Sequence, residues 1–300
     1  MQRIISVICG LSLLGACAGE KLGSTSSTEN SERRIAPAEY TVPKQIRYSF
    51  TLRNTTDKLL PKADFWTYTP VPQTSHQWVE RINATHPYRM SQDSVGNGIM
   101  QFELTNIPPY GSKIISITVG LKMSEQPTTA GVSDLERFLR AEPYIESDNT
   151  KLVELARNFK DNAAISTVMK EYDWVVGNVT AELYVPEDRG AIYAMTVRKG
   201  DCTEFAYLLT AMSRANRIPA RPIGGYVFKG NTIVKAADYH NWTEFLAENR
   251  WQIADGQKRM FRKNQTEYVA MRIIASEVGG PLGNSHRFAQ AGLGLEVVMN

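Results

Sequence analysis

Three residues in the second half of this chain have side chains and spacing suited to nucleophilic chemistry: Cys202, His240 and Asp255. A cysteine attacks a carbonyl as its thiolate, so it needs a group to take its proton, and that group needs something to orient it. The chain has three cysteines, at positions 9, 17 and 202. Cys9 lies within the apolar run that opens the chain and Cys17 just after it, so Cys202 is the one cysteine in the body of the chain and has no disulfide partner there. A lone cysteine is often a small buried hydrophobe, so its neighbours must decide.

Those neighbours read Lys199-Gly200-Asp201-Cys202-Thr203-Glu204-Phe205, and Phe205, Leu208, Leu209 and Met212 follow at helical spacing. The pattern predicts a buried helix running to about Asn216. Asp201 as N-cap with Glu204 three residues on approximates a capping box, which makes Cys202 the first residue inside the helix. Unpaired N–H groups and the positive end of the helix dipole favour a thiolate there. The same N–H groups could hold an oxyanion.

Downstream, His240 to Leu246 alternates as a strand, residues 247–250 form a polar turn, and Trp251 to Asp255 is the returning strand. In such a hairpin His240 falls opposite residues near 255 to 257. Diagonal cross-strand neighbours are about 7–8 Å apart, so Asp255 can reach the ring of His240. Local geometry thus supplies a base and its orienter; bringing them to Cys202 requires the tertiary fold.

The preceding elements divide in two. Ile46 to Arg53 alternates strictly, with Ile46, Tyr48, Phe50 and Leu52 on one face. Similar runs at 64–69, 77–82, 98–104 and 113–121 are separated by turn sequences, which predicts an all-β, sandwich-like domain over 39–123. His76 and His86 fall in it without clustered partners and read as surface or loop histidines. Residues 124–130 read as a linker. Helical spacing then begins with an N-cap at Asp148 or Asn149, and a second apolar period runs from Ile165 to Val179. Trp242 and Trp251 read as core, and His286 as a loop residue.

The composition is that of an ordinary globular protein, 42% hydrophobic and 22% charged, with a formal net charge of only +3. No basic block, Gly-rich phosphate loop or acidic calcium loop is present. Nucleic acid is therefore not expected as a partner, and no cofactor or metal is predicted. The first residues combine a short positive start with an apolar run from Ile4 to Leu14, the layout of a secretion signal. Leu14-Gly15-Ala16-Cys17 resembles the lipobox of bacterial lipoproteins. That resemblance implies a signal peptide over 1–16, lipidation of Cys17, a polar tether over 17–38, and anchoring in the bacterial cell envelope. Ala18 after the cysteine points to the periplasmic face of the outer membrane.

A second resemblance covers roughly residues 130–275. Gly200-Asp201-Cys202-Thr203-Glu204-Phe205-Ala206, Met212 to Arg221, Gly224-Gly225-Tyr226, His240 to Phe245 and Trp251 to Asp255 resemble, in order and spacing, the motifs of the transglutaminase-like superfamily. The resemblance implies an α+β, papain-like domain over 130–290, with the cysteine helix packed on an antiparallel sheet. It also implies that Cys202 is the nucleophile, His240 the general base and Asp255 its orienter. The expected activity is that of a thiol acyl hydrolase or acyltransferase, a cysteine peptidase or amidase with transamidation open. Its expected substrate is an amide of an envelope protein or cell-wall peptide. The alternative is a non-catalytic envelope module that binds a protein in the same cleft. Gly256 stands where many relatives have proline. The side-chain oxyanion donor is unassigned, with Tyr193 and Trp174 as candidates.

Overall fold

The computed structural model describes residues 26–27, 34–276, 279–283 and 285–300. The predicted signal peptide, Cys17 and most of the predicted tether lie outside the described residues. Among the described residues, no helix is long and apolar enough to cross a membrane.

The first part is built from six strands: β1 (Val42–Asn54), β2 (Leu60–Tyr68), β3 (Gln77–Ala84), β4 (Tyr88–Gln92), β5 (Gly98–Ile107) and β6 (Ser112–Met123). The alternation seen in β1 is real: Ile46, Tyr48, Phe50 and Leu52 are all buried. Period-2 burial of this kind drives an antiparallel strand onto a core by one face. β6 lies between β1 and β3, while β5 lies between β4 and β2, giving two sheets whose inner faces share one core. The strand β4 gave no clear periodic signal in the sequence; Tyr88 and Met90 face the core, while Arg89, Ser91 and Gln92 are exposed.

Four helices follow: α1 (Thr150–Arg157), α2 (Ala164–Asn178), α3 (Gly190–Val197) and α4 (Cys202–Ala215). Asn149 caps α1, its side chain accepting from the N–H groups of Lys151 and Leu152. α3 is apolar all round, so it shows no amphipathic period and was not legible as a helix; it packs on α4. A third sheet comprises β7 (Ala220–Val227), β8 (Tyr239–Ala247), β9 (Arg250–Asp255) and β10 (Tyr268–Ile273). It is antiparallel, in the order β9-β8-β7-β10, with the short strand Met260–Phe261 beyond β9. α4 lies across its β8 and β7 strands, so the fold is α+β.

The two parts share packing and backbone bonds. Tyr226, Val269 and Met271 of the third sheet belong to the core of the β-strand part. The side chain of Gln77 both donates to and accepts from Ala270, and Asn97 does the same with Ile273. These buried amides satisfy the outer edge of β10, which would otherwise carry unpaired polar groups. His76 is buried here rather than on the surface or in a free loop, its Nε2 2.9 Å from the Trp251 carbonyl oxygen. The last two strands, β11 (Phe288–Ala291) and β12 (Leu295–Met299), return to the first part and pair with β2 and β1.

Candidate active site

The helix that carries Cys202 begins as the sequence indicates. Asp201 Oδ1 accepts from the Thr203 N–H, and Glu204 Oε2 accepts from the Asp201 N–H, completing the capping box. Gly200 is required for that approach, since a Cβ there would sit 2.4 Å from Glu204 Cβ. The box uses the N–H of Thr203 and leaves that of Cys202 outside it. Arg189 then locks the box from behind: its Nη2 donates to Glu204 Oε2 at 2.8 Å and its Nη1 to Glu182 at 3.0 Å.

His240 and Asp255 meet through the hairpin. The register Thr243↔Ala254 places Asp255 opposite Trp242, one diagonal step from His240. The turn closes with Glu248 and Asn249 both at positive φ, near +55°, as a two-residue hairpin turn demands. His240 Nε2 donates to Asp255 Oδ2 at 2.7 Å, and both residues are buried. A carboxylate only accepts, so Nε2 carries the hydrogen and Nδ1 is left as the acceptor. Two further donors hold the carboxylate. The Tyr268 hydroxyl donates to the same Oδ2 at 3.0 Å, and the Lys258 N–H donates to Oδ1 at 3.0 Å. Sequence reasoning missed Tyr268, because no local spacing links a residue on β10 to the end of β9.

Gly256 also has a packing reason. A Cβ there would lie 3.0 Å from the Phe205 ring and 3.4 Å from Val175, so the chain leaves Asp255 pressed against α4 and α2.

Cys202 and His240 line one cleft of about 790 Å³, together with Asp188, Asp201, Asn241 and His286. Cys202 is half-buried. Asn241 ties strand to helix, its Nδ2 donating to the Thr203 hydroxyl at 2.9 Å. Burial and the adjacent Asp201 carboxylate push the Cys202 thiol up to about 12, and the Asn241 N–H and the Thr203 hydroxyl offset only part of this. The sequence led us to expect the opposite direction. The reason is first that packing takes the sulfur out of water, and second that the capping box which marks the helix start sets a carboxylate beside it. The proton therefore rests on sulfur, and attack requires that it leave as the new bond forms.

The model of the transglutaminase-like superfamily matches residues 153–256. Over that stretch the chain is similar to this superfamily. No curated protein matches the sequence. Among solved structures, a candidate cysteine protease from Cytophaga hutchinsonii is similar over 86% of this chain and 92% of its own, at 19% identity and a TM-score of 0.56. The periplasmic domain of TgpA from Pseudomonas aeruginosa is matched over 68% of this chain and 89% of its own, at 13% identity and a TM-score of 0.39. The first likeness covers enough of the chain to take in both the β-strand part and the stretch that the family model matches, and it concerns the fold.

Other expectations within the domain separate. Trp242 and Trp251 are core, both buried. Neither Tyr193 nor Trp174 lines the cleft. The Tyr193 hydroxyl accepts from Arg189, and Trp174 lies under the Arg198 guanidinium. His286 lies on a loop, as expected, and that loop brings it to the cleft, 3.8 Å from Asp188, which also accepts from the Tyr207 hydroxyl. Burial lowers the pKa of His286, with Asp188 opposing. The tail does not cover the cleft at 279–283: Leu282 is buried against Tyr68 and Ile99 of the β-strand part.

Proposed function

We propose that the protein is a thiol acyl hydrolase acting on amide bonds, with Cys202 as nucleophile, His240 as general base and Asp255 as its orienter. The observation that carries this reading is the buried 2.7 Å His240–Asp255 bond. It occupies Nε2 and leaves Nδ1 as the free acceptor of a histidine that lines the same cleft as Cys202, which supports this reading. His240 Nδ1 takes the thiol proton as sulfur bonds to the carbonyl carbon. The tetrahedral oxyanion forms beside the N–H of Cys202, the first of the helix, where N–H groups point outward and the dipole is positive. His240 then gives its proton to the departing amine, leaving a thioester on Cys202. Water or a second amine resolves the thioester, giving hydrolysis (peptidase or amidase) or transamidation. The raised thiol pKa fits general-base catalysis at the moment of attack rather than a standing thiolate–imidazolium pair.

The setting we propose is the bacterial cell envelope, with an acylated Cys17 as the anchor and an envelope protein or peptide as substrate. This rests on the signal-like and lipobox-like first residues. Radiolabelled palmitate incorporation in a bacterial host, compared with Cys17→Ala, tests the anchor.

For the chemistry, the purified protein is incubated with unfolded casein, with and without an added fluorescent primary amine. New amino groups report hydrolysis and fluorescence on casein reports transfer. Cys202→Ala should abolish whichever signal appears. Turnover that survives Cys202→Ala would reject the triad. Tight binding of an envelope protein with no turnover would favour a binding module that uses the same cleft.

A further inference from the structure

Thr203 follows the nucleophile directly, and the capping box uses only its main chain, the N–H that donates to Asp201 Oδ1 at 2.8 Å. Its hydroxyl has no part in that box. The residue is nonetheless buried, and it lines the cleft beside Cys202. Two groups meet the hydroxyl. Asn241 Nδ2 donates to it at 2.9 Å, and the hydroxyl is itself a donor to the Cys202 sulfur. These two bonds fit together, because a hydroxyl carries one hydrogen and an amide nitrogen can only donate. With Asn241 filling an acceptor position on the Thr203 oxygen, the hydroxyl hydrogen is left to point at sulfur. Asn241 also offers its main-chain N–H to the same sulfur.

The Asn241 side chain pays for its place. Its Oδ1 is buried and has no hydrogen-bond partner among the described residues. Gly224, opposite Asn241 across β7 and β8, makes room for that oxygen: a Cβ there would lie 3.0 Å from Oδ1. A buried acceptor without a donor lowers stability, so fastening strand to helix is a poor reason to keep an amide here. The nitrogen end supplies a better one, since it sets the direction of the Thr203 hydroxyl.

We infer that Thr203 is a further catalytic residue of the Cys202 site, its hydroxyl donating a hydrogen bond to the reacting sulfur, and that Asn241 is the positioning residue that aims it. As His240 Nδ1 takes the thiol proton, negative charge builds on sulfur while its bond to the acyl carbon forms. The Thr203 bond strengthens over that interval, because a charged acceptor holds a donor more strongly than a neutral one. The hydrogen stays on the Thr203 oxygen throughout; the proton that moves is the one His240 receives. The same bond acts again when the thioester is resolved and sulfur leaves the acyl carbon as thiolate. An interaction that is stronger in the transition state than before it raises kcat and leaves KM alone. The catalytic sense of the inference rests on the proposed acyl-transfer reading, while the contact with sulfur can be tested without turnover.

The test compares Thr203→Val, which keeps the shape and loses the hydroxyl, with Thr203→Ser, which keeps the hydroxyl. Neither alters the main-chain N–H that the capping box uses. With casein as substrate, Thr203→Val should lose about ten- to a hundredfold in kcat with KM little changed, and Thr203→Ser should stay within about threefold of native. Iodoacetamide labelling of Cys202 between pH 8.5 and 10.5 reads the sulfur alone. Thr203→Val should label about three- to tenfold more slowly across that range, because its thiolate is scarcer though somewhat more nucleophilic, and Thr203→Ser should follow the native protein. Asn241→Ala lets the hydroxyl turn away and should fall between native and Thr203→Val in both measurements. Circular dichroism confirms folding; if Thr203→Val does not fold, Thr203→Ala is read in its place. Slow labelling in Thr203→Val, restored in Thr203→Ser, by a protein that gives no turnover would uphold the contact with sulfur and reject the acyl-transfer reading. Turnover that depends on Cys202 but is undiminished in Thr203→Val would uphold that reading and overturn the inference. Native-like labelling in Thr203→Val, or Thr203→Ser no better than Thr203→Val, would overturn it as well.

Discussion

The back of the candidate triad and its front are built on different terms. At the back, His240, Asp255 and Tyr268 lie on three strands of one sheet, all are buried, and both oxygens of the carboxylate have donors. At the front, Cys202 is half-buried, its proton is held tightly, and the surrounding surface comes from loops and a helix start. A dry, fully bonded back fixes the tautomer and direction of one imidazole before any substrate arrives. A wet front leaves the costly step, removal of the thiol proton, to be driven by the bound acyl group. The difference teaches that pre-organisation here resides in the sheet, not in the nucleophile.

The strongest break of that comparison is at the back. Asp255→Asn keeps the shape but offers His240 an amide in place of a carboxylate, so the ring loses its enforced tautomer. Turnover should fall by about 10³–10⁴-fold, as such replacements do in hydrolase triads, with little change in KM. Steady-state kinetics on casein decides this. A loss of less than tenfold would mean that the hydrogen bond at 2.7 Å does not govern the base.

The front gives the next effect. A thiol raised from 9.0 to about 12 is about 10³-fold poorer in thiolate at neutral pH than an ordinary one. Iodoacetamide should therefore label Cys202 far more slowly than a free cysteine at pH 7.5. The rate should climb steadily with pH beyond 10, since only the deprotonated sulfur reacts. A plateau below pH 8 would show a standing thiolate and would place pre-organisation at the nucleophile after all.

The same contrast governs what could be read from the sequence. The capping box, the helix behind Cys202 and the hairpin register are local matters of spacing, and Asp201, Glu204, His240 and Asp255 could be placed from neighbours alone. The apolar period of β1 likewise carried its own burial. What was not legible depended on groups far apart in the chain. Tyr268 reaches Asp255 only because β10 folds beside β7. His76 is buried only because the β-strand part docks on Trp251. His286 enters the cleft only because β11 returns to β2. The direction of the Cys202 shift failed for another reason. The helix dipole was legible, but the desolvation that outweighs it is a property of the packed site.

Tyr268→Phe sharpens the comparison more gently. It removes one of two donors to Asp255 Oδ2 and leaves the ring packed on Trp242, with centroids 5.1 Å apart. A hydrogen bond to a charged group contributes about 1.5–3 kcal/mol, so kcat should drop roughly ten- to a hundredfold. A fall in thermal stability with an unchanged kcat would make Tyr268 a packing residue only.

The smallest effect on turnover is expected at Glu171, on the far side of α4 from the cleft. Its carboxyl is buried and accepts from Ser213 and Asn216 at the helix's C-terminal end, and burial raises its pKa to about 8 from 4.5. The folded state thus binds a proton that the unfolded chain releases near pH 4.5. Stability from this group is full below pH 4.5 and declines as the pH rises toward 8. Glu171→Gln keeps an acceptor for Asn216 and removes the titration. Its unfolding free energy should match the native protein's at pH 4 and exceed it, on the order of a few kcal/mol, at pH 8.5. Urea unfolding at the two pH values measures this directly. Because Glu171 touches neither cleft nor triad, the variant's kcat at pH 7 should stay within about twofold of the native value. A large change in kcat would mean that the C-terminal end of α4 transmits strain to Cys202, so that the front is less independent of the scaffold behind it than the back is.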